Sequence, residues 1–200
     1  MPRERIPFLT FARIVLDAIE ACQLEYCIGG AVAVWAWGEP RTTQDFDLVI
    51  NLPGNRIRIL SQELTTRRML VPPEILLDLL LQPEGDLPVN AIHMDSGFKA
   101  ELFLLRMNDP FRTSALERRR LVDLGEPLGQ VYVHAPEDLI LNKVAYYRLS
   151  EQPKHIRDIG SILLMSGDQI DWPYLHFWLG QLGLQPVWDE VQAAVNKLLG

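Results

Sequence analysis

Two carboxylates stand two residues apart in Asp45-Phe46-Asp47-Leu48-Val49-Ile50. The β-rich tail of this segment predicts a strand, in which alternate residues share a face, so both acids project together while Phe46 and Leu48 turn toward the core. Such a pair reads either as a solvated strand end or as oxygen ligands for a divalent cation. The cation reading explains why two mutually repelling acids stand together beside a core, where unpaired charge is costly.

A glycine pair precedes them. Glu25 to Ile28 is expected to be a short strand ending in Gly29-Gly30, followed by a breaker-free helix from Ala31 to Trp37 that Gly38 and Pro40 stop. Glycines let the backbone turn sharply and approach a ligand closely. A helix opening directly after them points free N–H groups and a positive dipole end over the turn, which favours a phosphate.

Two further ionisable residues interrupt apolar surroundings. Strands are expected at Val89 to Met94 and Phe98 to Leu105, joined by the turn Asp95-Ser96-Gly97, and the second carries Glu101 among Ala100, Leu102, Phe103 and Leu104. A carboxylate there is either buried with a partner or placed where the strand reaches a site. Lys143 lies on a predicted helix with Leu139, Ile140, Tyr146 and Tyr147 three and four positions away. It is either a lysine snorkelling at a domain edge or a cation with a partner.

The combination of Gly29-Gly30, a helix, Arg41-x-Thr43-x-Asp45-x-Asp47 and an apolar run resembles the nucleotidyltransferase superfamily, closest to abortive-infection type toxin nucleotidyltransferases and their uncharacterised bacterial relatives. The resemblance covers roughly residues 24–180, most firmly 28–50 and 131–163. It implies that Asp45 and Asp47 bind Mg²⁺ or Mn²⁺, and that Ala100-Glu101-Leu102 supplies a third carboxylate, with Asp95 as the rival position. The closest relatives more often have Asp here, so Glu101 departs from the pattern. The resemblance further implies an NTP substrate held by Gly29, Gly30, Arg41, Thr43, Lys143 and Arg148. Pro136-Glu137-Asp138-Leu139, then Lys143 and Arg148, then Arg157-Asp158 match a toxin-like motif in which Asp158 lies near the site as an acid/base group or as the lysine's partner. The implied reaction moves an NMP group to an acceptor hydroxyl on tRNA, a protein or a small molecule. A cognate antitoxin is an implied partner, and a non-catalytic nucleotide- or protein-binding relative is the alternative.

The elements around these residues suit an α/β (α+β) chain with a nucleotidyltransferase-like small mixed sheet flanked by helices. Residues 1–130 are expected to form the catalytic domain, and 131–200 a mostly helical C-terminal part completing the nucleotide site. With 200 residues, 48% of them hydrophobic, the chain can bury a real core. It has no run of eighteen apolar residues, and Met-Pro-Arg-Glu-Arg lacks the apolar region of a secretory signal, so a cytoplasmic protein without membrane partners is expected. Cys22 and Cys27 read as reduced core residues. A net charge of −7 argues against a broad nucleic-acid-coating surface. Arg67-Arg68 and Arg118-Arg119-Arg120 read as solvated helix faces.

Elsewhere, residues 8 to 22 carry apolar side chains at helical spacing with Thr10 as a candidate N-cap. Ile57, Leu60 and Leu64 mark a helix ending near Arg68, and another is expected from Glu74 to Gln82 before the turn Pro83-Glu84-Gly85-Asp86. A Ser114-x-x-Glu117 capping box suggests a helix and then a loop within residues 109 to 130. Val131-Tyr132-Val133 is a short strand and Pro136 starts a helix with Glu137 and Asp138 favouring its dipole. Asp171 caps a helix over Tyr174 to Leu179, and a last one spans Pro186 to Leu199. The aromatic group Trp172, Tyr174, Phe177, Trp178 and Trp188 reads as helical core packing rather than a base-stacking platform.

Overall fold

The structure, a computed structural model, describes residues 6–82 and 86–199. Met1 to Arg5 and the turn expected at Pro83-Glu84-Gly85 lie outside the described residues. Helix α1 (Phe8–Ala21) buries Phe11, Val15, Leu16 and Ile19 at helical spacing. It begins after Pro7, whose carbonyl accepts Phe11 N–H at 3.1 Å, so Thr10 falls inside the first turn and is not the cap. Packing decides the start, since Phe8 must lie on the helix to meet the Phe98 ring edge-on.

Strand β1 (Glu25–Ile28), helix α2 (Gly30–Trp37) and strand β2 (Asp45–Asn51) follow as the sequence predicts. β1 and β2 are antiparallel, Ile28 opposite Leu48. Helices α3 (Ile57–Thr66) and α4 (Pro73–Leu81) lead to strands β3 (Val89–Ile92) and β4 (Lys99–Leu104). Their hairpin closes where Gly97, at φ +77°, donates its N–H to the His93 carbonyl at 2.8 Å. β4 then joins β2 in parallel and sets Asp47 opposite Glu101 and Asp45 opposite Lys99.

Residues 109 to 130 are more than a helix and a loop. Helix α5 (Pro110–Glu117) is capped by Asp109, which accepts Arg112 N–H at 2.9 Å, so Ser114 sits inside the helix and bonds Tyr174 instead of capping. Strand β5 (Arg120–Asp123) then forms because β6 (Gln130–Val133) pairs with it antiparallel. Helices α6 (Pro136–Ser150), α7 (Pro153–Ser166), α8 (Trp172–Gln181), capped by Asp171, and α9 (Gln185–Leu199) complete the chain.

The six strands form one mixed sheet in the order β3-β4-β2-β1-β6-β5. α2 packs on β2 and against α7, and α6 packs against α7, α8 and α9. A single large core joins α1, the sheet and the C-terminal helices. Trp178 and Trp188 are buried in it, as core packing requires, while Trp172 and Phe177 are exposed. Cys22 and Cys27 are free and buried. Among the described residues no helix is long and apolar enough to cross a membrane.

Candidate active site

The turn between β1 and α2 is built for close approach. Gly29 N–H donates to the Asp47 carbonyl at 2.9 Å, which locks the turn onto β2. Gly30 has φ +57°, and a β-carbon there would fall 1.7 Å from Asp47 Oδ2. Any side chain at Gly30 would therefore displace that carboxylate, which is the packing reason for the glycine. The start of α2, Gly30 and Ala31, lines the same space.

Period-two geometry brings the acids together. Asp45 and Asp47 share one face of β2, and Glu101 enters from the opposed position of β4. The Asp47 carboxyl is pushed up to about 7, first by burial, then by the neighbouring charges of Glu101 and Asp45, with Lys143 pulling the other way. Lys99 Nζ lies 2.5 Å from Glu101 Oε1 and 3.4 Å from Asp45 Oδ1. Asp95, the rival for the third carboxylate, pairs with Arg68 at the hairpin tip and does not line the cavity described below.

The opposing wall is basic. Lys143 is buried on α6 and donates to Asp158 Oδ2 at 2.6 Å. Arg41 holds the same carboxylate with two bonds, Nε to Oδ1 at 2.9 Å and Nη2 to Oδ2 at 3.1 Å. Burial alone would raise Asp158, but the hydrogen bonds and charges of Arg41 and Lys143 outweigh it and hold the carboxyl below its ordinary value. Burial lowers Lys143, and Asp158 opposes that shift. With both oxygens engaged, Asp158 sits as the partner of two cations. Arg41 is positioned locally because Trp35 Nε1–H donates to its carbonyl at 3.2 Å. Thr43 uses its hydroxyl in a tight turn with the Asp45 backbone.

These walls enclose a cavity of about 340 Å³. Gly29, Gly30, Arg41, Thr43, Asp45, Asp47, Glu101 and Lys143 all line it. Arg148 is exposed at the end of α6 and Asp158 stands behind Lys143 and Arg41; neither lines the cavity. The sequence reading missed His134, Arg112, Tyr146, Lys154 and His155, which also line it. His134 packs under Gly29, Trp37 Nε1–H bonds its carbonyl at 2.7 Å, and burial followed by the charge of Arg112 lowers its imidazole to about 4. Tyr146 and His155 stack at the α6–α7 turn, with ring centroids 6.3 Å apart. A histidine beside a glycine turn carries no sequence signal until the β1–β6 pairing is known.

The arginine run does not form one solvated face. Arg118 follows α5 and lies 3.8 Å over the Tyr174 ring, bonded to Glu137 at 3.1 Å, with Asp138 at 3.9 Å and Asp171 at 3.7 Å. Arg119 lies over Tyr132 and pairs with Glu25, while Arg120 opens β5. Arg67 likewise pairs with Glu63 within α3, and Arg68 reaches Asp95. Glu137 and Asp138 are buried, held by Arg118, Asp171 N–H and Tyr174 O–H, so their placement is decided by tertiary partners as well as by the helix dipole.

Three solved structures share this architecture. The solution structure of the antibiotic-resistance factor ANT(2'')-Ia aligns over 96% of this chain and 97% of its own, at TM-score 0.57 and 17% identity. The crystal structure of ANT(2'')-Ia in complex with adenylyl-2''-tobramycin aligns at TM-score 0.50 and 18% identity, over 96% and 98% of the two chains. An antigenic nucleotidyltransferase-like protein from Paracoccidioides brasiliensis aligns at TM-score 0.52 and 16% identity, over 94% and 92%. No protein-family model matches the chain, and no curated protein matches it by sequence. The chain has a nucleotidyltransferase-like fold.

The donor chemistry of the acidic wall is of the kind a divalent cation takes. Asp45, Asp47 and Glu101 offer hard oxygen ligands, and the bare Gly30 cradle accommodates the Asp47 carboxylate. Among the described residues no three such side chains have the spacing of a formed metal site. A cation already stands among them, however, in the form of the Lys99 ammonium.

Proposed function

We propose that the protein is a metal-dependent nucleotidyltransferase that moves an NMP group from an NTP to an acceptor hydroxyl. The observation that carries this reading is one cavity with an acidic wall on β2 and β4, a basic wall on α2–β2 and α6, and a glycine turn between them. Residues 1–130 supply the acidic wall and the glycine turn, and residues 131–200 complete the site with Lys143.

Gly29 keeps the turn open, Gly30 and the start of α2 offer backbone N–H groups to the phosphate chain, and Arg41, Thr43 and Lys143 lie within reach of its oxygens. Asp158 acts through them as a positioning residue, fixing both cations so that little side-chain entropy is lost when phosphate arrives. Mg²⁺ or Mn²⁺ held by Asp45, Asp47 and Glu101 would neutralise charge on the phosphates and make a nearby hydroxyl more acidic. The acceptor oxygen attacks the α-phosphorus, the bond to the β-phosphate oxygen breaks, and pyrophosphate leaves with that electron pair. The hydroxyl proton passes to a carboxylate oxygen of the acidic wall that holds no cation, or to solvent. Catalysis rests on alignment and charge neutralisation.

The adenylylated tobramycin held by one of the similar structures makes a small hydroxylated molecule the first acceptor class to test, ahead of tRNA or protein. A toxin-like role with an antitoxin partner rests on the sequence resemblance, and a cytoplasmic location on the lack of an eighteen-residue apolar run in the sequence. The test is transfer of label from each α-labelled NTP, with Mg²⁺ or Mn²⁺, to small hydroxylated molecules, RNAs and proteins of a cell extract. Label on one acceptor class that disappears with Asp47→Asn supports the reading. NTP binding without transfer to any class supports the non-catalytic alternative.

A further inference from the structure

We infer that the Lys99 ammonium is a resident counter-ion of the carboxylate site, which a divalent cation must displace in order to bind. The inference rests on the nucleotidyltransferase reading insofar as that reading makes Asp45, Asp47 and Glu101 the ligands.

Strand geometry places the lysine. Lys99 precedes Glu101 by two residues on β4 and therefore shares its face, and the parallel register sets it opposite Asp45 on β2. Its Nζ reaches both carboxylates, at 2.5 Å and 3.4 Å. An ammonium has three donors and no fixed fork, so it can serve two acids that the sheet holds apart. Like charges set side by side on neighbouring strands are otherwise destabilising. Lys99 thus relieves the repulsion that the paired acids would suffer without metal.

The same contact opposes a second cation. A divalent ion on Asp45 and Glu101 would share their oxygens with a positive group at contact distance, and the two would repel. Lys99 is one-third exposed, so its flexible stem has an open path to solvent. Exchange costs the protein two partly exposed ion pairs, to Asp45 and Glu101, and such pairs are weak. Lys99 therefore sets the threshold for metal binding rather than blocking it. Asp47 has no contact with this ammonium and remains the carboxylate at which a metal gains most.

The experiment is Mn²⁺ binding without nucleotide, read as loss of the free-ion electron paramagnetic resonance signal, for wild type, Lys99→Met, Lys99→Gln and Lys99→Arg, each with and without Asp47→Asn. Both uncharged variants should bind Mn²⁺ on the order of tenfold more tightly than wild type, the scale of one unit charge near the surface. Lys99→Arg keeps the charge and should stay within about twofold of wild type. Asp47→Asn should weaken binding in every background. Equal or weaker binding by the uncharged variants, with the Asp47→Asn effect intact, overturns the counter-ion role and leaves the metal reading standing. Absence of any Asp47-dependent binding, in the uncharged variants as in wild type, removes the metal reading and this inference with it.

Discussion

Asp47 and Asp138 are both carboxyls pushed up to about 7, by burial first in each, and they stand in different surroundings. Asp138 is fully buried, and burial is what raises it, while the Tyr174 hydrogen bond and the charge of Arg118 hold it down. Its surroundings are closed: Tyr174 O–H donates to it at 2.6 Å, and Glu137, Arg118 and Asp171 complete a knot that ties the end of α5 to α6 and α8. Asp47 is only half-buried, faces a cavity, and has Glu101 and Asp45 as additional causes. A raised carboxyl therefore does not by itself mark a site. Like charge left facing open space does, because such an arrangement lowers stability and is relieved when a cation binds.

The largest expected contrast is at these two acids themselves. Asp47→Asn should lower label transfer from the NTP about a thousandfold, the scale of losing a principal electrostatic group at a reacting phosphorus. It should leave the melting temperature at pH 8 unchanged or raised, since it removes a repelling charge. Asp138→Asn should leave transfer within about twofold of wild type. Comparable activity losses for the two variants in label-transfer kinetics would erase the distinction between site and knot.

The cations on either side of α6 provide the next contrast. Arg118→Met strands the buried Glu137 and should cost about 3 kcal/mol in urea unfolding, with NTP affinity unchanged. Lys143→Met should lower NTP affinity by on the order of 1.5 to 3 kcal/mol in calorimetry. Its stability loss should be smaller, because Arg41 still holds Asp158. Adding Asp158→Asn to Lys143→Met should recover stability without recovering NTP binding. Recovery of both would make the lysine a structural group.

The same comparison explains what was legible in the sequence. Gly29-Gly30, Asp45 and Asp47 were readable because strand and helix periods act over a few residues, and one turn and one strand place them all. Lys143 was readable as an anomaly on an apolar stripe. The Arg41–Asp158 bond joins residues 117 positions apart, so no local rule pairs them, and only the resemblance brought Asp158 near the site. β5 escaped because Arg120-Leu121-Val122-Asp123 becomes a strand only when β6 offers an edge. The run Arg118 to Arg120 reads as one charged face, yet the helix ends within it, and the three side chains go to three different surroundings. Ser114 matched a capping box, but Asp109 precedes Pro110, whose fixed backbone sets the true first turn.

The smallest effect separates the two acids by pH. Asp138 has an ordinary value of 3.8 and is raised to about 7 in the folded protein, so between those values the native state binds a proton that the unfolded chain releases. Unfolding stability from this group is fully present below about pH 4 and is lost as pH rises through 7, because the folded protein must then either keep the proton or bury a charge. The groups facing it are Glu137, which opposes ionisation, and Arg118, Arg120 and Tyr174, which favour it, and their balance leaves burial dominant. Asp138→Asn retains an oxygen to accept the Tyr174 O–H and removes the titration. Relative to that variant, wild type should lose about 1 to 3 kcal/mol of urea-unfolding stability between pH 5 and pH 8. A difference between the two proteins that stays constant over this range would mean that Arg118 neutralises Asp138 fully, and the knot would then be an ordinary ion pair rather than a buried acid held by its hydrogen bonds.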